Sequence, residues 1–170
     1  LAANNARFSL AASWFDYDGD GDSDLYVAND FGPNGLYRND GGRFVEVAAQ
    51  AGAEDQAAGM GVTFADFDLD GDVDLYVSNM FSSAGQRIAF QPRFMSDRAP
   101  SDLLGVRRHA LGNTLLANRG DGTFEDVSDR TGVRMGRWAW GAMFVDLNND
   151  AYDDLVVPNG FLTNRVKDDL

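Results

Sequence analysis

Three short apolar runs, Leu25-Tyr26-Val27-Ala28, Leu75-Tyr76-Val77 and Leu155-Val156-Val157, stand at corresponding points along the chain. Each is too short for a helix and rich in strand-forming residues, so each predicts a β-strand. A second run precedes each of them: Ala12-Ser13-Trp14-Phe15, Gly61-Val62-Thr63-Phe64-Ala65 and Gly141-Ala142-Met143-Phe144-Val145. These runs mix small and large apolar residues, which suits strands near a crowded axis. Between the two members of each pair lies a polar segment dominated by aspartate. Asn39-Asp40-Gly41-Gly42 and Arg119-Gly120-Asp121-Gly122 carry hairpin turn signals.

The pattern repeats. Asp16 and Asp66 are 50 residues apart, and Asp66 and Asp146 are 80 apart. The segment from Gly35 to Val47 matches that from Thr114 to Val127 with one extra residue in the turn. Asn29, Asn79 and Asn159 share one repeat position, and Phe31, Phe81 and Phe161 share another. Each unit reads as strand, acidic loop, strand, turn, strand, Gly-rich hairpin, strand. Four antiparallel strands at such a period predict an all-β fold of β-propeller blades. The expected division is one propeller segment over 1–170: a first blade at about 8–48, a second at about 58–128 with an insertion at 80–112, and a partial third at about 138–170. Three blades do not close a ring, since propellers usually need four to eight. The expectation is therefore a segment of a longer chain that supplies the remaining blades. Ring closure by several copies is the alternative.

The acidic segments carry the candidate chemistry. They are Asp16-Tyr17-Asp18-Gly19-Asp20-Gly21-Asp22-Ser23-Asp24, Asp66-Phe67-Asp68-Leu69-Asp70-Gly71-Asp72-Val73-Asp74 and Asp146-Leu147-Asn148-Asn149-Asp150-Ala151-Tyr152-Asp153-Asp154. Carboxylates at alternate positions repel one another, so the pattern implies a bound cation. Calcium takes six to eight oxygens and suits a short loop whose alternate side chains turn inward. The expected ligands at positions 1, 3 and 5 are Asp16, Asp18 and Asp20, then Asp66, Asp68 and Asp70, then Asp146, Asn148 and Asp150. Position 7 (Asp22, Asp72, Tyr152) would offer its carbonyl, and position 9 (Asp24, Asp74, Asp154) would close the cage. Up to three calcium ions follow, with the third site weakest because it has fewer acids and no glycine. Position 12 is Val27, Val77 or Val157 inside a strand, which rejects the helix–loop–helix calcium hand with its glutamate there. A solvated acidic hairpin is the alternative for one such loop; three in register favour a metal.

Charge and composition narrow the partners. The formal net charge of −13 argues against nucleic acid and against anionic membrane surfaces. The three loops hold 14 of the 27 acidic residues, so much of that charge is counter-charge to metal. There is no cysteine, which excludes disulfides, thiolate metal sites and cysteine nucleophiles. No apolar run approaches the roughly 18 residues of a membrane span. The chain does not start with Met and carries no visible signal peptide, in line with a piece of an exported protein.

The Asp-x-Asp-x-Asp-Gly-x-x-Asp-Leu pattern after a small-apolar strand resembles the FG-GAP/VCBS class of propeller repeats. Asn118-Arg119-Gly120-Asp121-Gly122-Thr123-Phe124-Glu125-Asp126-Val127, Thr131-Gly132-Val133 and Trp140-Gly141-Ala142 are similar to the cartilage acidic protein and ASPIC/UnbV-type group. The resemblance covers nearly all of the chain. It implies a calcium-stabilised propeller in an extracellular or periplasmic protein, used for adhesion, scaffolding or binding of a protein or glycan ligand.

Met80 to Gly112 lies outside the repeat and carries five arginines against two aspartates. Pro100 to Ala110 predicts a short helix, with proline near its start and basic residues late. The segment reads as a lid packing Phe90, Phe94, Leu103, Leu104 and Leu111 on the propeller, its arginines paired with aspartates. A basic contact for a carboxylated or sulfated glycan is the alternative. His109, the single histidine, reads as structural, and Trp14, Trp138 and Trp140 read as core residues, with a sugar-stacking platform as the alternative. No nucleophile–base–acid pattern and no catalytic residue stands out. A non-catalytic calcium-binding module is the first reading. The propeller scaffold of a secreted lyase or cyclase, with a site near the insertion, is the second.

Overall fold

The computed structural model describes residues 7–160 of the chain. The first acidic loop joins β1 (Phe8–Phe15) to β2 (Asp24–Asp30), and β3 (Gly35–Asp40) and β4 (Arg43–Glu46) complete an antiparallel sheet in chain order. A single helical turn, α1 (Ala48–Ala51), leads to β5 (Gly59–Ala65) and β6 (Asp74–Asn79), which flank the second acidic loop. The helices α2 (Ser83–Ala89) and α3 (Pro100–Leu111) then intervene. After them β7 (Thr114–Asn118) and β8 (Phe124–Asp126) complete a second four-stranded antiparallel sheet. The turn α4 (Ser128–Thr131) precedes β9 (Met143–Val145) and β10 (Asp154–Val156), which pair around the third loop. The described residues are mostly β, with few helices and no closed barrel. They form consecutive blades of an incomplete propeller-like fold. Phe161 and the rest of the expected third blade, 161–170, lie outside the described residues.

The repeat holds at the level of register. Ala12 pairs with Val27 and Val62 with Val77, and each first strand has one irregularity, between Ser9 and Ala11 or between Gly59 and Gly61. The first strands pack against their neighbours, and the rings of Phe15 and Phe64 stack with centroids 3.7 Å apart. The approach is close enough that a Cβ on Gly61 would lie 2.9 Å from the Cα of Gly141. Small residues in these runs are therefore a packing requirement.

Alternation of side chains explains why the middle sheet has such an unbroken apolar strand. Leu75, Val77 and Leu116 face the first sheet and join a cluster with Phe15, Tyr26 and Leu36. Tyr76, Leu115 and Ala117 face the other way, toward Phe144 and Leu155. Both faces are covered, so both sets are apolar. The equivalent tyrosines extend to the loops beyond: Tyr26 donates to Ala53 O (2.9 Å) and Tyr76 to Val133 O (3.3 Å). The helical turns α1 and α4 ending at left-handed Gly52 and Gly132 were not predicted; one turn is too short to show a helical period.

The insertion enters at one defined point. In the first sheet, Asn29 N donates to Asn34 Oδ1 (2.8 Å) across a short turn. In the second, Asn79 N donates to Asn113 Oδ1 (2.8 Å), and the whole insertion lies between these two residues. Pro100 opens α3 as expected, but α2 was not predicted; Ser82 caps it by accepting from Gly85 N (2.9 Å). Arg108 on α3 pairs with buried Asp55 (2.7 Å). Asp55 also accepts from Thr114 Oγ1 (2.6 Å), Asn79 Nδ2 (2.9 Å) and its near neighbour Ala57 N (3.1 Å).

The insertion is not a lid sealed by its apolar residues: Phe90 is 50% and Leu104 64% exposed. Of its arginines only Arg108 has a carboxylate partner among the described residues. The hairpin of α2 and α3 packs largely on itself, so its outer apolar residues meet solvent. The tryptophans are not core residues either. Trp14 and Trp140 are more than half exposed and Trp138 is 39% exposed. Trp14 touches Phe44 edge-on, and Trp140 donates from its indole to Gly160 O (3.0 Å). His109 lies against the ring of Phe31.

Candidate metal centre

Each acidic loop links the first strand of a sheet to the second, so the three loops occupy equivalent turns. Their internal hydrogen bonds repeat. The position-1 carboxylate straps the turn: Asp16 accepts from Gly19 N and Gly21 N, both at 2.9 Å. Asp66 accepts from Asp70 N and Gly71 N at 3.0 Å, and Asp146 from Asp150 N (3.1 Å) and Ala151 N (2.9 Å). The position-5 carboxylate gives one oxygen to the amide two residues on, in Asp20–Asp22, Asp70–Asp72 and Asp150–Tyr152. The position-9 carboxylate reaches back to position 2: Asp24 to Tyr17 N (3.0 Å), Asp74 to Phe67 N (2.9 Å) and Asp154 to Leu147 N (3.1 Å).

The backbone takes the left-handed conformation twice per loop. Position 6 is Gly21, Gly71 or Ala151, at φ 90°, 98° and 69°. Position 4 is Gly19, Leu69 or Asn149, at φ 73°, 62° and 61°. The position-4 turn was not predicted, because only the first loop has glycine there. Leu69 and Ala151 adopt a conformation that costs an L-residue about 1–2 kcal/mol.

These turns bring carboxylates together. In the first loop, oxygens of Asp16, Asp18 and Asp24 all lie within 4.8 Å of one another. In the second, those of Asp66, Asp68 and Asp74 do the same. Asp20 and Asp70 lie outside these triads, each with one oxygen engaged by the backbone. Asp22 turns its side chain to the neighbouring hairpin, accepting from Gly41 N (3.0 Å). The third loop forms no such triad among the described residues; Asn148 replaces the middle carboxylate and bonds Asp150 instead.

Asp24 and Asp74 are fully buried and have no cationic side chain paired with them among the described residues. Each accepts a second backbone bond from the third strand: Asp24 from Asn39 N (2.8 Å) and Asp74 from Asn118 N (2.9 Å). Burial pushes the Asp74 carboxyl up to about 6, with Asp68 and Asp70 adding to it, against the pull of the Asn118 and Phe67 amides. Burial raises Asp24 as well, and burial with the charge of Asp20 raises Asp18. In the third loop burial pushes the other way to the outcome: the amides of Ala151 and Asp150 outweigh it and hold Asp146 low. Clustered carboxylates with a buried, uncompensated member are a donor set that fits a hard divalent cation. Its all-oxygen character suits calcium; zinc prefers nitrogen and sulfur.

The acidic loops and the insertion lie at opposite ends of the sheets, since antiparallel β2 and β6 run from one to the other. Asp55, which anchors the insertion, was not singled out in the sequence. Its partners Asn79 and Thr114 are 24 and 59 residues away, so no local pattern marks it.

Among known families, the one described as FG-GAP-like repeat matches residues 16–77 and 101–157, well over half of the chain. Each matched segment ends just past an acidic loop, the second or the third. No curated protein matches the chain at a significant level.

Proposed function

The chain belongs to the FG-GAP-like repeat family, and from that premise we propose that it is a calcium-binding propeller module that binds a protein or glycan partner for adhesion or scaffolding. The observation that carries the metal reading is the pair of aspartate triads, each with a buried member that lacks a cationic partner. In the first loop Asp16, Asp18, Asp20 and Asp24 would hold the ion with the carbonyl of Asp22. Asp66, Asp68, Asp70 and Asp74 with Asp72 would do so in the second, and Asp146, Asn148, Asp150 and Asp154 with Tyr152 more weakly in the third. The bound cation supplies positive charge at the turn between the first two strands of each blade. The protein's part is to place buried oxygens there before the ion arrives.

The blade division at 8–48, 58–128 and 138–170 belongs to the same proposal, as does a parent protein that is exported and supplies further blades. The Asn118–Val127 segment supports a finer placing in the ASPIC/UnbV-like group. Among the described residues no helix is long and apolar enough to cross a membrane. Calorimetric titration of metal-stripped protein tests the reading: two tighter calcium sites and one weaker are expected. Asp18→Asn and Asp68→Asn should each abolish one tight site. Equal heats for both variants and the unsubstituted protein would refute the assignment.

A further inference from the structure

We propose that the cleft beside the α2–α3 hairpin receives an acidic peptide segment, one carboxylate seated on Arg107 and an apolar neighbour against Phe90 and Leu104. The cleft has a volume of about 450 Å³, and its walls include Glu54, Gln56, Phe90, Leu104, Arg107 and Arg108. That volume is within the usual range of ligand sites. The proposal stands apart from the calcium reading, because the hairpin lies at the opposite end of the sheets from the acidic loops.

Arg107 is held in place by contacts that leave its fork free. Its Nε donates to Ala89 O (3.1 Å), and its guanidinium carbon lies 5.0 Å from the centre of the Phe90 ring. Neither contact uses the two Nη groups, and no carboxylate pairs with Arg107 among the described residues. A planar guanidinium fixed in this way is preorganised for bidentate capture of a carboxylate. Arg108, by contrast, is committed to Asp55.

Charge complementarity points to an acidic partner. Arg87, Arg93 and Arg98 on the same hairpin also lack carboxylate partners among the described residues, although the chain as a whole carries −13. Unpaired cations gathered on one insertion steer anions toward it. The rest of the cleft selects among anions. Phe90 and Leu104 are 50% and 64% exposed, and arginine beside an exposed aromatic ring is the composition of protein-recognition sites. Arg107 covers a face of Phe90, which leaves that face unavailable for a sugar. Glu54 in the same cleft opposes a dense polyanion.

The test uses the full chain in calcium-containing buffer and an end-blocked Leu-Asp-Phe peptide, with Leu-Asn-Phe as its neutral counterpart. Binding is followed by NMR at the Arg107 Nε–H and the Gln56 side-chain amide. The aspartate peptide should shift both signals saturably, and the asparagine peptide should bind about tenfold more weakly or worse. Arg107→Lys keeps the charge but loses the fork and should weaken the aspartate peptide by a similar factor, while Glu54→Gln should strengthen it. Equal binding of the two peptides, or none by either, would overturn the proposal. So would saturation of the same signals by a sulfated heparin disaccharide with no response to the peptide. The peptide comparison on the unsubstituted protein decides the matter even if Arg107→Lys fails to fold.

Discussion

Asp74 concentrates the physics of the loops in one residue. Its folded carboxyl titrates near 6, raised by burial, well above the roughly 3.9 of an unfolded aspartate. In metal-free protein its proton therefore stabilises the fold fully below the unfolded value, and that contribution is lost as pH rises through about 6. Asp24 and Asp18 are raised too and act in the same sense, whereas the carboxyls held low, such as Asp126 and Asp129, titrate at more acidic pH. In EDTA the melting temperature should fall between about pH 5 and about pH 7, and Asp74→Asn should flatten that slope. A flat profile for the unsubstituted protein would contradict the burial argument. Ala151 tests the backbone. It holds φ 69° where the first two loops have glycine, so Ala151→Gly should stabilise by about 1 kcal/mol, read as a higher urea midpoint at unchanged slope. The alternate aspartates were legible in the sequence because the pattern is local, nine consecutive residues that recur three times. The strain at Leu69 was not, because a left-handed φ on leucine leaves no mark in residue type.

At the scale of elements, strand pairs and hairpins were readable and the anchoring of the insertion was not. β2 and β6 announce themselves by local runs, and the Gly41-Gly42 turn by its glycines, both at positive φ. The join of α3 to the sheets rests instead on Asp55, a residue between repeats whose side-chain partners Asn79, Thr114 and Arg108 are all distant in sequence. The Asp55 side chain is 1% exposed and that of Arg108 18%, so removing one partner leaves an uncompensated charge inside. Asp55→Ala should cost about 3–5 kcal/mol. Replacing both Asp55 and Arg108 by apolar residues should cost less than Asp55→Ala alone, because no unpaired charge remains. A double-mutant cycle in denaturant measures the difference, and strict additivity would argue against direct coupling. The sealed lid expected from the apolar residues of the insertion failed for a related reason. Sequence pattern identifies which residues are apolar, but the hairpin's own packing decides which of them reach the sheets.

At the scale of the whole chain, the blades are held by two different devices at their two ends. Apolar clusters on both faces of the middle sheet bind it to its neighbours, and asparagine clasps with the Asp55 network secure the end that carries the insertion. At the opposite end Asn118 Nδ2 donates to Tyr17 O (2.8 Å) and the Tyr17 ring stacks on Phe124 between the sheets. There the carboxylates of the acidic loops crowd together, a repulsion that a bound cation would relieve. Occupancy at a hundredfold excess over the dissociation constant adds about 2.7 kcal/mol per site. Thermal unfolding of the same sample, first in EDTA and then after calcium is restored in excess, tests this most directly. The account predicts a marked fall in melting temperature on chelation and full recovery with calcium but little with magnesium. A melting temperature that is the same in EDTA and in calcium would contradict it.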